Sequence, residues 1–141
     1  MTEDKSWLTS SPEETERVGE DLAQKLRGGE LILLVGELGS GKTTFVRGLA
    51  RGLGVDDPDG VASPSYVIIH EHPGRLRLQH VDLYRLDDPA AIEELAIDEL
   101  LEPDSVVVVE WGERLLRTQI PGIEIHFRLV KGNTREITRI D

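Results

Sequence analysis

No cysteine occurs among the 141 residues, which excludes disulfides, thiol catalysis and thiolate metal sites. Long apolar runs are missing too, none approaching the ~20 residues that cross a bilayer. Met1–Ser11 has no basic segment followed by an apolar core, so no secretion signal is expected. Positive charge is scarce: 16 Lys and Arg stand against 27 Asp and Glu, for a net charge of −11. A surface this acidic repels nucleic acid and anionic membrane, since binding either needs clustered cations. Any RNA in the biology is then expected to be held by another subunit, and no membrane contact is expected. Repeats and low-complexity tracts are absent. The expectation is a cytoplasmic chain with one domain, residues 1–141, long enough to bury roughly two-thirds of its unfolded surface.

What is present centres on 31–53, L-I-L-L-V-G-E-L-G-S-G-K-T-T-F-V-R-G-L-A-R-G-L. Leu31–Val35 has the length and apolar character of a buried strand. Gly36-Glu37-Leu38-Gly39-Ser40-Gly41-Lys42-Thr43 then matches G-x-x-x-x-G-K-[ST] in full. Phe45, Val46, Leu49 and Leu53 follow at helical spacing, with Arg47 and Arg51 on the other face. Strand, glycine loop and helix start come in the order that phosphate binding needs. The glycines let successive N–H groups turn inward as an anion nest, and the helix adds its positive N-terminal end. Lys42 reaches the terminal phosphates as a point charge, and the Thr43 hydroxyl can ligate magnesium.

The remaining chain supplies the surroundings. Ser11-Pro12-Glu13-Glu14 reads as a helix entrance with a Ser11 cap and a Glu14 capping box. Val18, Leu22 and Leu26 predict its apolar face, and Gly28-Gly29 its end. Asp56–Gly60 reads as a mobile acidic loop. Tyr66–His72 and Leu76–Leu83 read as a hairpin through Pro73-Gly74. Ser63 and Ser65 precede that hairpin, where P-loop hydrolases often keep a loop ordered by the terminal phosphate, though an ordinary turn fits equally. His80, Asp82 and Tyr84 alternate along one strand face, which suits either a water-positioning site or a solvated face. Asp87–Glu102 reads as a capped acidic helical region with Ile92, Leu95, Ala96, Leu100 and Leu101 inward, solvated outside or docked on a partner. Val106–Val109 reads as a central strand buried on both faces, ending in Glu110. An apolar strand ending in a carboxylate suits the magnesium-associated acid of P-loop enzymes, with Trp111 as packing or a wall of the site. Glu124–Val130 and Arg135–Ile140 read as a last hairpin that extends or covers the sheet rather than carrying chemistry, with a tip that can approach the base. The fold expected is α/β: a P-loop NTPase-like three-layer fold, with a largely parallel central sheet, antiparallel hairpins and helices on both faces.

Electrostatics speaks to the metal. Asp82 and Glu110 near the phosphates would place two carboxylates beside a polyphosphate. Each like-charge contact at roughly 4 Å costs about 4 kcal/mol at an effective dielectric near 20. One lysine and the loop amides cannot offset several of these. A divalent cation is therefore expected, and oxygen donors with phosphate indicate magnesium.

Gly36–Phe45, Ser63–Tyr66 (S-P-S-Y), His80–Leu86 (H-V-D-L-Y-R-L) and Glu110-Trp111 together resemble the TsaE (YjeE) family of ATPases in order and spacing. Thr15, Gly19 and Leu22 also match its first-helix pattern, so the resemblance covers nearly the whole chain. Glu37 stands where Asp is common, Ser40 where Ala is common and Ser65 where Thr is common. The resemblance implies ATP and ADP binding with Mg2+, and a role in making threonylcarbamoyladenosine in ANN-decoding tRNAs. It implies nucleotide contacts from Glu37, Leu38, Gly39, Ser40, Gly41, Lys42, Thr43 and Thr44, with the base between Pro12 and Gly132. Thr43 and Glu110 become the metal ligands, Lys42 and Asp82 the catalytic residues, and Ser63–Tyr66 a switch-like loop. Partners of the TsaD and TsaB type are implied, with tRNA reached only through them.

Other classes fit less well. A small-molecule P-loop kinase needs an acceptor pocket and usually an Arg-bearing lid, neither legible here. A GTPase would show N-K-x-D, which is absent, although Asp57-Pro58-Asp59-Gly60 has the letters of D-x-x-G. A binding module that never hydrolyses is separated from an ATPase only by turnover. No arginine finger is evident, so weak activity alone is expected, with Arg85 as an internal candidate.

Overall fold

The computed structural model describes residues 5–37, 39–61, 69–86, 88–115 and 122–140. Among the described residues, seven strands form one sheet: β1 (Ser6–Thr9), β2 (Leu31–Gly36), β3 (Ile69–His72), β4 (Arg77–Asp82), β5 (Ser105–Glu110), β6 (Ile123–Lys131) and β7 (Thr134–Ile140). Their order is β1-β7-β6-β2-β5-β4-β3. The four inner strands β6-β2-β5-β4 run parallel, while β1, β7 and β3 pair antiparallel at the flanks. Helices α1 (Pro12–Ala23) and α2 (Lys42–Gly52) cover one face, over Ile32, Leu34, Val106 and Val108. Helix α3 (Pro89–Glu94) and two 3-10 turns, Ile97–Leu100 and Gly112–Leu115, lie against Leu31, Leu33, Val107 and Val109 on the other. The α/β three-layer expectation is met. The valine run is buried on both faces because β5 lies between two parallel neighbours, each face covered by helix.

Glycine sets the distance between α1 and α2. A Cβ on Gly48 would lie 1.8 Å from the Glu16 carbonyl oxygen, and one on Gly19 would lie 2.4 Å from that of Phe45. Only hydrogen at both positions lets the two backbones approach so closely. The buried stripe of α1 is accordingly Thr15, Gly19 and Ala23, whereas Val18 and Leu22 are only partly buried beside the core. Ser11 caps α1 as expected, accepting from the Glu14 N–H at 3.2 Å. Glu14 reaches back to the N–H of Ser10, at 2.8 Å, one residue before the capping-box position. The helix stops at Ala23; Leu26 is buried beyond it.

Three expectations change. From Asp88 on, the acidic helical region is divided: α3 has six residues, capped by Asp88, and Ala96 takes a left-handed φ of 49° that turns the chain into a 3-10 turn. That break brings Ile97, absent from the expected apolar set, into the core. Asp56–Gly60 contains a 3-10 turn, Pro58–Gly60, followed by buried Val61. Strand β1 was not expected at all. It adds to the edge of β7, with Leu8 opposite Glu136 and Thr9 opposite Arg135.

Candidate nucleotide-binding site

Because the inner strands are parallel, the ends of β2, β4 and β5 reach the same edge of the sheet. Asp82 is in register with Glu110, and Glu110 with Leu34, two residues before Gly36. The phosphate-loop sequence and the two expected carboxylates thus converge at the carboxyl ends of adjacent strands, where open α/β sheets bind ligands.

Helix α2 begins differently from its neighbours. Side-chain oxygens of Ser11 and Asp88 cap α1 and α3, but α2 has Gly41 at its cap, with φ 108° and no side-chain bond. A Cβ at that left-handed position would be strained. The first-turn N–H groups of α2 are therefore left for an anion, as the helix dipole favours. Lys42, at the first position, is buried, and its ammonium donates to the Gly36 carbonyl at 2.5 Å. It also lies 3.8 Å from the centroid of the Trp111 ring, so the tryptophan walls the lysine. Burial lowers the Lys42 pKa from its ordinary 10.5; Glu110, Glu113 and Asp82 oppose that shift, and Arg114 adds to it.

Beside the lysine, the Thr43 hydroxyl donates toward both carboxylate oxygens of Glu110, 3.0 Å from each. His80 Nε2 meets Glu110 Oε2 at 2.6 Å. A carboxylate only accepts, so that nitrogen carries the proton. His80 is fully buried, and its Nδ1 has no partner among the described residues. The sequence left the His80–Asp82 face open between a site and a solvated surface; the structure buries both side chains. Asp82 Oδ1 accepts from the Tyr84 N–H at 2.9 Å, turning the chain at the end of β4. Arg114 donates to the carbonyls of Leu83, Tyr84 and Leu86, pinning that turn from below. Trp111, at a left-handed φ of 63°, stacks near Tyr84 with ring centroids 5.3 Å apart.

Two protein oxygens fit a hard cation here. Ligands at right angles around magnesium, each ~2.1 Å away, sit about 3.0 Å apart, which is the hydroxyl-to-carboxylate spacing found. Among the described residues no three His, Cys, Asp or Glu side chains converge to hold a metal unaided. Phosphate and water oxygens would have to complete the shell, as magnesium prefers.

The other expected residues fall around the loop. Glu37 and Gly39 are exposed, Ser40 is buried with its hydroxyl unpartnered among the described residues, and Thr44 is half-buried in the first turn of α2. Leu38 and Ser63–Tyr66 lie outside the described residues. Pro12 opens α1 one turn before Thr15, and Gly132 lies in the β6–β7 turn before Arg135. Those two segments meet at the loop: Thr15 Cγ2 and Arg135 Cδ lie 3.7 and 3.6 Å from where a Gly41 Cβ would stand. The last hairpin therefore packs against the loop as well as extending the sheet. Sequence reasoning did not single out His80 as a partner of Glu110, nor Glu113, Arg114 and Arg135. The signal for His80 was its place on the Asp82 face; for the arginines there was none.

A family model, threonylcarbamoyl adenosine biosynthesis protein TsaE, matches residues 9–138. The chain belongs to the TsaE family. The tRNA threonylcarbamoyladenosine biosynthesis protein TsaE of Bacillus subtilis is 38% identical over 135 residues, covering 94% of this chain and 82% of that protein. Its namesake from Treponema pallidum is 35% identical, covering 93% and 96%. The crystal structure of Bacillus subtilis YdiB superimposes with a TM-score of 0.77 at 33% identity, over 99% of this chain and 86% of that one. The TsaE resemblance read from the motifs is thus borne out along the chain. None of its helices, among the described residues, is long and apolar enough to cross a membrane.

Proposed function

We propose that this protein binds and hydrolyses ATP with magnesium as an accessory factor in threonylcarbamoyladenosine modification of tRNA. The tRNA process is the coarser part and rests on family membership and on the names of its relatives. The ATPase part is carried by one observation: an uncapped α2 start whose lysine, threonine and facing glutamate converge at one sheet edge. Lys42 and the loop amides hold the phosphates. Thr43 and Glu110 hold magnesium, with His80 fixing the carboxylate from behind. Magnesium, when bound, would supply positive charge against the phosphates. Asp82 orients the attacking water, and Trp111 keeps bulk water from the lysine. No arginine finger stands in the sequence motifs, so turnover is slow alone and rises on a TsaD–TsaB type complex, through which tRNA is reached.

The test is a magnesium-dependent ATP titration, read as phosphate release, with and without the TsaD–TsaB proteins. Faster turnover in the complex supports the reading. Equal turnover in both counts against the accessory role, and phosphate transfer to a metabolite without free phosphate would point to a kinase.

A further inference from the structure

The loop has two flanks of opposite character. On the β5–β4 side, Glu110, Glu113 and Asp82 act on buried Lys42, so carboxylates already face the ammonium there, although burial outweighs them and lowers its pKa. On the β6–β7 side stands Arg135, half-buried and in register with Thr9 of β1. Its stem passes Gly41, with Cδ and Nε at 3.6 and 3.7 Å from the Cβ position there. Nη1 donates to the Asn133 carbonyl at 2.7 Å, and Nη2 to the Gly39 carbonyl at 3.3 Å. Both acceptors are neutral, and a guanidinium has five N–H donors. Arg51, Arg77 and Arg128 each face a carboxylate within 4 Å, whereas none of the carboxylates among the described residues pairs with Arg135. A half-buried cation in an acidic protein, held against a phosphate loop by neutral groups alone, is set up to receive an anion.

We propose that Arg135 is a nucleotide-binding residue that contacts a phosphate of a nucleoside di- or triphosphate directly, without the divalent cation. This rests on the reading of Gly36–Thr43 as a phosphate loop. The sheet order places Arg135 across β2 from Glu110 and Asp82, so its contact is to the part of the nucleotide that ATP and ADP share. It therefore tightens binding of both and leaves the chemical step to the other flank. The same side chain ties the last hairpin to the loop, which makes the hairpin's position sensitive to nucleotide.

The experiment measures ADP binding by calorimetry in EDTA and in magnesium, together with ATP turnover, for the full chain and for Arg135→Gln, Arg135→Lys and Lys42→Ala. Arg135→Gln should weaken ADP in EDTA by about tenfold or more, as for loss of a charge-assisted bond. Its loss in turnover should appear in KM and not in kcat, and its ADP affinity should depend less on ionic strength. Arg135→Lys should recover part of the affinity, keeping the charge without the fork. Unchanged ADP affinity in Arg135→Gln, with Lys42→Ala impaired, would make Arg135 a hairpin tether and overturn the proposal. A fall in kcat at unchanged KM would overturn it too, by moving the contact to the transferred group. If Lys42→Ala binds ADP as tightly as the unaltered chain, the phosphate-loop reading itself fails, and the proposal with it.

Discussion

Replacing Glu110 by glutamine should separate folding from metal binding. Glu110 is buried and lies beside Asp82 on the adjacent strand, in direct register. At a strand spacing of about 5 Å and an effective dielectric near 20, their repulsion is about 3 kcal/mol. Lys42 opposes this with an attraction of the other sign, Glu110 being the foremost carboxylate acting on it. Removing the charge therefore changes the Coulombic balance little. What remains is the weakening of bonds from Thr43 and His80, from charge-assisted to neutral, about 1 kcal/mol each. The ligand-free variant should lose about 2 kcal/mol, or roughly 4–8 °C in Tm for a chain of this size. Its response to magnesium should disappear, because a neutral amide is a poor ligand for a hard dication. Thermal melts without ligand, with ADP in EDTA and with magnesium and ATP test this. The unaltered protein should gain Tm from magnesium beyond the gain from nucleotide alone, and Glu110→Gln should not. A ligand-free loss well above 4 kcal/mol would make Glu110 a structural residue, and a retained magnesium increment would refute its role as a ligand.

Asp82→Asn should bind ATP with nearly unchanged affinity yet turn it over at least a hundredfold more slowly, measured as phosphate release; normal turnover would remove Asp82 from the mechanism. Gly48→Ala gains about 1 kcal/mol of helix propensity but forces α1 and α2 apart against a 1.8 Å contact. The net loss should exceed about 2 kcal/mol in urea unfolding, and an unchanged midpoint would mean that the helices part freely. His72 has its pKa lowered below the ordinary 6.5 by burial, with His80 and His70 adding to the shift. The unfolded chain then takes up that proton first, so stability falls as pH drops from 6.5 toward the folded value and levels off below it. His72→Gln should make the stability curve shallower in that window, and identical slopes would contradict the assignment.

Much of the candidate site was legible because its residues are local in sequence. A phosphate-loop motif needs consecutive residues, so Gly36–Thr43 stood out as a candidate, and four valines ending in Glu110 announced a buried strand end. Both hairpins carried turn residues between alternating segments. What escaped depends on contacts between distant residues. Strand β1 is four residues long and owes its pairing to β7, far along the chain. The α1–α2 crossing reads as scattered glycines until two helices are laid together. Ala96 breaks the acidic helix through a left-handed backbone that alanine does not advertise. His80 reaches Glu110 across neighbouring strands, and Arg135 reaches Gly39 from the far end of the chain. Each was visible as a residue but not as a partner.

The account depends on a nucleotide seated where α2 begins. Crystals grown with magnesium and a non-hydrolysable ATP analogue would locate it. The prediction is a triphosphate lying along Gly36–Thr43, with Lys42 at its terminal phosphates and a cation touching both Thr43 and Glu110. A nucleotide bound at any other surface, or a loop still empty at saturating analogue, would contradict it.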